Sequence, residues 1–128
     1  MAFIIDNIKW IMLVSGVMTF SMIYAAIAPR AALNMTFGEA KAEGAALEIV
    51  TRNWGALIAL IGAMLIYGAF DPPGQPFILI VAGVSKLIFI ALILANGSAT
   101  ARTKAAGAIV IDTIMIVLFA LYLIGRAG

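Results

Sequence analysis

The sequence predicts an all-α integral membrane protein whose four transmembrane helices pack as an antiparallel up-down-up-down bundle. Of the 128 residues, 65% are apolar and 11% are charged. A water-soluble domain has roughly a quarter of its residues charged, so this composition excludes one. Four apolar stretches of spanning length fill most of the sequence, which indicates a single transmembrane domain over residues 1–128.

The first predicted span covers residues 8–27, about 20 residues or ~30 Å of helix, which matches the hydrocarbon core of a bilayer. Pro29 ends it. A secretory signal peptide is the alternative, because residues 26–28 read Ala-Ile-Ala, a possible cleavage site. The apolar run is longer than a signal core and follows an acidic residue, Asp6, so we favour a transmembrane helix.

The polar connection at residues 28–46 separates the first span from the second. Its charged residues Glu39, Lys41 and Glu43 favour a short helical turn on the membrane surface. We therefore expect this long connection to lie at the interface.

Three further spans follow at residues 47–70, 77–95 and 105–124. Residues 71–76 read DPPGQP, a sequence whose prolines and glycine end one helix and permit a turn. Short connections join neighbouring antiparallel helices. An even number of spans then places both termini on one face of the membrane.

The Lys and Arg residues are divided unequally between the two faces. Lys9 and Arg126 lie on the face of the termini. The opposite face has four such residues: Arg30, Lys41, Arg102 and Lys104. Cytoplasmic connections carry the excess of Lys and Arg, so we expect the long connection in the cytoplasm and both termini outside.

The amino-acid composition also excludes several functions. The sequence has no Cys and no His, which removes disulfides, thiolate metal sites, imidazole-bound haem and a histidine base. The net charge of +2 comes from scattered residues rather than a basic patch, so nucleic acid is not an expected partner. We predict no metal and no cofactor.

Three ionisable residues, Arg52, Lys86 and Asp112, lie inside the predicted spans. Each costs a few kcal/mol in a membrane, so each is expected to have a partner or a function. At ~1.5 Å per residue they lie about 8, 14 and 11 Å from the face of the long connection. They could therefore form one buried polar layer.

Other polar and aromatic residues complete the candidate set. Thr19 and Ser15 lie four residues apart on one face of the first span, with Thr19 near the depth of the layer. Glu48 precedes Arg52 by four residues, a spacing that favours an ion pair within one helix. Aromatic residues near span ends, among them Trp54 and Tyr122, are typical of interfacial anchors. The full candidate set is Arg52, Lys86, Asp112, Glu48, Thr19, Ser15 and Trp54, none with a catalytic role.

The polar layer has three interpretations. In the structural one, Lys86 pairs with Asp112 and Glu48 with Arg52, and the pairs fix the order of the helices. In the functional one, the residues line a cavity for a substrate, an ion or the polar head of a lipophilic ligand. In the third, a cation extends to the interface, which is hardest for Lys86 at mid-span.

Small residues predict where helices approach closely. Gly55, Ala59 and Gly62 continue the helical face that begins with Glu48 and Arg52. Small side chains allow close helix contact in membranes, so we expect this face to point into the bundle.

Several features of the sequence occur together: residues 52–57 (RNWGAL), with Pro29 and Phe37-Gly38 upstream, residues 85–89 (SKLIF) and the lone Asp112. They resemble the small bacterial four-helix membrane proteins called DoxX-like. The resemblance covers essentially the whole chain in number and layout of spans. It implies a bacterial cytoplasmic membrane and, as for some members, an accessory role beside quinone-coupled oxidoreductases. The positions that would mark the group are Arg52, Trp54, Gly55, Lys86 and Asp112.

These observations leave three classes of function. The first is a non-enzymatic accessory or binding module, which contacts the lipid bilayer, a membrane-protein partner or a lipophilic molecule with an acidic or carbonyl head. The second is a homo-oligomeric proton-coupled transporter that uses Asp112 and Lys86, because four helices alone rarely enclose a pathway. The third is a membrane enzyme with a lysine base, for which the sequence shows no nucleophile.

Overall fold

A computed structural model describes residues 2–37, 44–96 and 99–127. These residues are almost entirely helical and include no strand. Four helical segments within them are long and apolar enough to cross a membrane: Ile8–Ile27, Ala45–Gly68, Pro72–Asn96 and Arg102–Arg126. The predicted all-α fold with four membrane-spanning helices is confirmed, and the protein is an integral membrane protein.

The first span consists of more than one helix. A short N-terminal helix, α1 (Ala2–Asp6), leads into α2 (Ile8–Phe20), and α3 (Ile23–Ile27) completes the crossing. Ser21 and Met22 separate α2 from α3. The backbone is therefore irregular in the middle of a membrane span.

Two hydrogen bonds give the carbonyls of Thr19 and Met18 partners at this break. The amide of Met22 donates to the carbonyl of Thr19, three residues earlier, instead of to Met18. The Ser21 hydroxyl donates to the Met18 carbonyl oxygen, which replaces the missing helical bond. The break therefore leaves the Met18 carbonyl with a partner inside the membrane.

The predicted polar loop at residues 28–46 is partly helical. A fourth helix, α4 (Pro29–Phe37), begins directly after α3, with proline at the first helical position, where its missing amide costs nothing. It packs against α3 and against the second and fourth spans, and its Ala32 is buried. Apolar contact therefore holds this part of the connection on the bundle. The expected surface turn at Glu39, Lys41 and Glu43 lies outside the described residues.

The other three spans are single long helices, α5 (Ala45–Gly68), α6 (Gln75–Asn96) and α7 (Ala99–Ala127). A 3-10 turn at Pro72–Gly74 joins α5 to α6. All three begin before their predicted spans, α5 and α6 by two residues and α7 by six. The difference is largest for α7, because its first turns are polar and an apolar run does not mark them.

The helices of the bundle pack as two groups, the first span with α5 and α6 with α7. α5 packs against α2 and α3, α7 packs against α6, and α5 also contacts α6. By depth in the membrane, the main apolar cluster lies in the half of the bundle nearer the termini. Its largest fully buried side chains are Phe119, Met12, Leu65 and Leu79.

Gly62 and Gly55 bring α5 into backbone contact with α2 and α3, the two helices of the first span. A Cβ atom on Gly62 would lie 2.7 Å from the Gly16 carbonyl oxygen and would collide with the backbone nitrogen of Phe20. Nearer the other end, a Cβ on Gly55 would lie 2.6 Å from the Ala26 nitrogen. The face of small residues in the second span therefore packs on the first span.

A buried polar pair closes the end of the bundle nearer the termini. The amide of Gln75 donates to the Gly68 carbonyl oxygen at 3.0 Å, and its carbonyl oxygen accepts from the Tyr122 hydroxyl at 2.9 Å. Gln75 and Tyr122 are only 4% and 7% exposed. The interpretation of Tyr122 as an interfacial anchor is thus wrong, because the amide of Gln75 provides its hydroxyl with a buried partner.

Gly62→Ala should destabilise the bundle by about 2 kcal/mol, because the added methyl collides with backbone that cannot move independently. Gly107→Ala is the matched control, since a Cβ there meets nothing within 4 Å. Its stability should be unchanged or slightly raised. Denaturant titration in mixed micelles, followed by circular dichroism, measures both; equal stability of the two variants would contradict the close contact.

Tyr122→Phe should cost about 1–3 kcal/mol in the same measurement, because it leaves the buried Gln75 oxygen without its donor. Tyr67→Phe is the control, since Tyr67 is 66% exposed. A Tyr122→Phe variant as stable as this control would show that the buried hydrogen bond is unimportant.

Candidate functional site

A cavity of about 200 Å³ lies in the half of the bundle nearer the long connection. All four spans line it, and most of its wall is apolar. The lining residues are Met18, Thr19 and Met22 from the first span; Trp54, Ile58 and Ile61 from the second; Ala82, Ser85, Lys86 and Phe89 from the third; and Ala108, Ile111, Asp112 and Met115 from the fourth.

An ion pair between Lys86 and Asp112 forms the charged part of this wall. Lys86 Nζ lies 2.9 Å from Asp112 Oδ1, and the two side chains are 9% and 19% exposed. Lys86 lies ten residues before the end of its span at Asn96, and Asp112 lies ten after the start of its span at Arg102. Because these helices run antiparallel, the equal spacing places both residues at one depth.

Thr19 also belongs to this group. Its Oγ1 accepts a hydrogen bond from Lys86 Nζ at 3.3 Å. One ammonium therefore connects the first, third and fourth spans. Ser15 lies one turn away on α2 and is buried, but it does not line the cavity.

Arg52 and Glu48 form a separate group, which does not line the cavity. Arg52 Nη2 donates to Glu48 Oε1 at 3.0 Å, and Nη1 donates to the Ala26 carbonyl oxygen at 2.6 Å. The two side chains are 46% and 43% exposed. The expectation of one layer that includes Arg52 is therefore not met, because its long side chain extends along α3 toward the membrane surface.

Two aromatic rings form a wall of the cavity. The rings of Trp54 and Phe89 are nearly parallel, with an angle of 13° and centroids 6.4 Å apart. The sequence predicts Trp54 as a candidate residue but does not single out Phe89. Its position three residues after Lys86 puts it on the same helix face, which is the signal that could have identified it.

The cavity offers a fixed hydrogen-bond donor in apolar surroundings. A lysine ammonium has three N–H groups, and in the described part of the chain two acceptors, Asp112 and Thr19, contact Nζ. The third N–H can donate to an oxygen atom of a bound molecule. Within the described ranges, no group of three or more acidic residues could hold a metal ion.

No protein-family model, curated protein or solved structure matches the chain. Function is therefore inferred from the geometry of the cavity. The relevant features are its size, its apolar wall and the charged pair.

Asp112→Leu should destabilise the bundle by about 3 kcal/mol or more, because it leaves the Lys86 ammonium buried without its counter-ion. The double variant Lys86→Leu/Asp112→Leu should lose less, since no charge is then stranded. Glu48→Gln is the control for an exposed pair and should cost under about 1 kcal/mol. Unfolding titrations of the three variants test this order, and a double variant that is no more stable than Asp112→Leu would contradict it.

Proposed function

We propose that the protein is a non-enzymatic membrane module that binds a lipophilic molecule with a carbonyl or acidic head. The observation that carries this proposal is the Lys86 ammonium in the wall of an otherwise apolar cavity lined by all four spans. In this arrangement the ammonium donates a hydrogen bond to an oxygen atom of the head, and the apolar wall encloses the rest of the head.

The size of the cavity favours binding over a purely structural ion pair. Protein interiors are close-packed and contain few voids larger than a water molecule. An ion pair that only fixed helix order could be packed as tightly as the apolar cluster near the termini. A space of about 200 Å³ directly beside the pair is instead suited to an occupant.

The accessory role is the second part of the proposal. The module would present or protect its ligand beside a membrane-protein partner or a second copy of itself. Membership of the DoxX-like group, a bacterial cytoplasmic membrane and termini on the outer face belong to the same proposal. The four-span layout and the exposed Arg30 and Arg102 on the long-connection side support it.

A transporter is less well supported by the geometry. A proton leaving Asp112 toward the termini would have to cross the packed apolar cluster. Met12, Leu65 and Phe119 are each at most 1% exposed there. In the described part of the chain, this half holds no charged residue between Lys86 and the terminal face that could relay a proton.

Gentle extraction from the native membrane, followed by native mass spectrometry, tests the proposal. We expect one defined lipophilic molecule per chain, absent from Lys86→Met/Asp112→Leu and retained by Lys104→Met. The double variant removes both charges together, so that neither is stranded in the bundle, and Lys104 is exposed at the start of α7. A parent protein that releases nothing, or a double variant that retains the same molecule, would contradict binding at Lys86.

A further inference from the structure

The first and fourth spans are separated at the level of the cavity. At its two ends α7 packs against α1 and α4, whereas α2 packs mainly against α5. The cavity-lining residues on either side of this gap are accessible from outside the bundle: Met18 is 41% exposed and Ile111 is 40% exposed. Ala108, one turn before Asp112, is exposed as well.

The gap lies at the depth of the hydrocarbon core. Met18 is nine residues from the end of its span at Ile27, and Ile111 is nine residues from the start of its span at Arg102. At ~1.5 Å per residue, both lie about 14 Å inside the membrane. A molecule passing through the gap would therefore come from the lipid rather than from water.

The two ends of the bundle are covered in the part of the chain that the structure describes. At one end α4 packs across α3, α5 and α7. At the other end the apolar cluster and the buried Gln75 and Tyr122 pair fill the space between the helices. The side of the bundle is therefore the more accessible route.

We propose that the gap between α2 and α7 is a lateral portal through which a membrane-dissolved amphiphile inserts a ring-sized, oxygen-bearing head while its apolar tail stays in the lipid. This inference rests on the proposed function and specifies the class of ligand and its route. Lys86 donates to the oxygen of the head, and Met18 and Ile111 flank the tail.

The cavity volume sets the size of the head. An apolar cavity of about 150 Å³ is large enough to bind benzene. The space of about 200 Å³ thus accommodates one six-membered ring with a small substituent, and the rest of a larger molecule must protrude. Trp54 and Phe89, whose rings stack on each other, both line this space and offer aromatic contacts to such a ring.

The absence of cysteine allows the portal to be blocked after folding. In a Trp10→Phe background, Trp54 is the sole tryptophan and reports on the cavity. Ala108→Cys places a thiol at the portal, and Val110→Cys places one at a control position, which is 58% exposed and does not line the cavity. Benzyl methanethiosulfonate adds a ring through a disulfide, which a reductant removes.

The probe is 4-bromophenyl dodecyl ketone in detergent micelles, whose bromine quenches Trp54 fluorescence when the ring is in the cavity. Bromododecylbenzene, which has no carbonyl oxygen, is the comparison probe. Each cysteine variant is measured before modification, after it and after reduction, so that it serves as its own reference.

We expect saturable quenching by the ketone, at least about tenfold weaker after modification at position 108 and restored by reduction. Modification at position 110 should change the affinity by less than about twofold. Unchanged binding after modification at position 108, or equal losses at both positions, would overturn the portal and leave the binding proposal standing. If the ketone binds the unmodified protein no better than bromododecylbenzene, the proposed function fails. Ile111→Cys replaces Ala108→Cys if the latter does not fold.

Discussion

The constraint on which the bundle depends is the cost of an ammonium ion in the hydrocarbon core of a membrane. Lys86 lies at mid-span, too deep for its side chain to reach water easily, so its charge must be balanced inside the protein. Asp112 balances that charge, and Thr19 provides a second acceptor. These bonds fix the depth at which three of the four spans meet. They also make this level of the bundle polar, whereas the half nearer the termini is filled by apolar side chains.

Close packing elsewhere explains why space remains beside the pair. Gly16 and Gly62 allow α2 to touch α5 through its backbone, which draws the first span toward the second. The same contact leaves α2 with little contact to α7. Membrane helices associate through such small residues because lipid tails are as apolar as the side chains, so close packing replaces the hydrophobic effect as the driving force. The cavity and the gap thus lie where the first span faces the third and fourth spans, through Met18, Thr19 and Met22.

Much of this architecture follows from the sequence, because apolar runs and depths depend only on counting residues along a helix. The four spans and the shared depth of Lys86 and Asp112 are of this kind. Counting gives no information about the direction in which a helix face points. Counting therefore predicts Arg52 in the same layer, although its guanidinium bonds to the Ala26 carbonyl oxygen and does not line the cavity. The cavity and the burial of Tyr122 likewise depend on how each helix is rotated about its own axis.

The break between α2 and α3 connects these features. Non-helical backbone at membrane depth is tolerated where it is buried in protein or lines a cavity. Met18, Thr19 and Met22, which surround the break, all line the cavity. In an unbroken helix, adjacent residues such as Met18 and Thr19 diverge by about 100°. Met22, four residues after Met18, lies on the same face of the span, so the first span lines the cavity on both sides of the break. The broken span, the buried ion pair and the lateral gap therefore form one arrangement around the cavity beside Lys86.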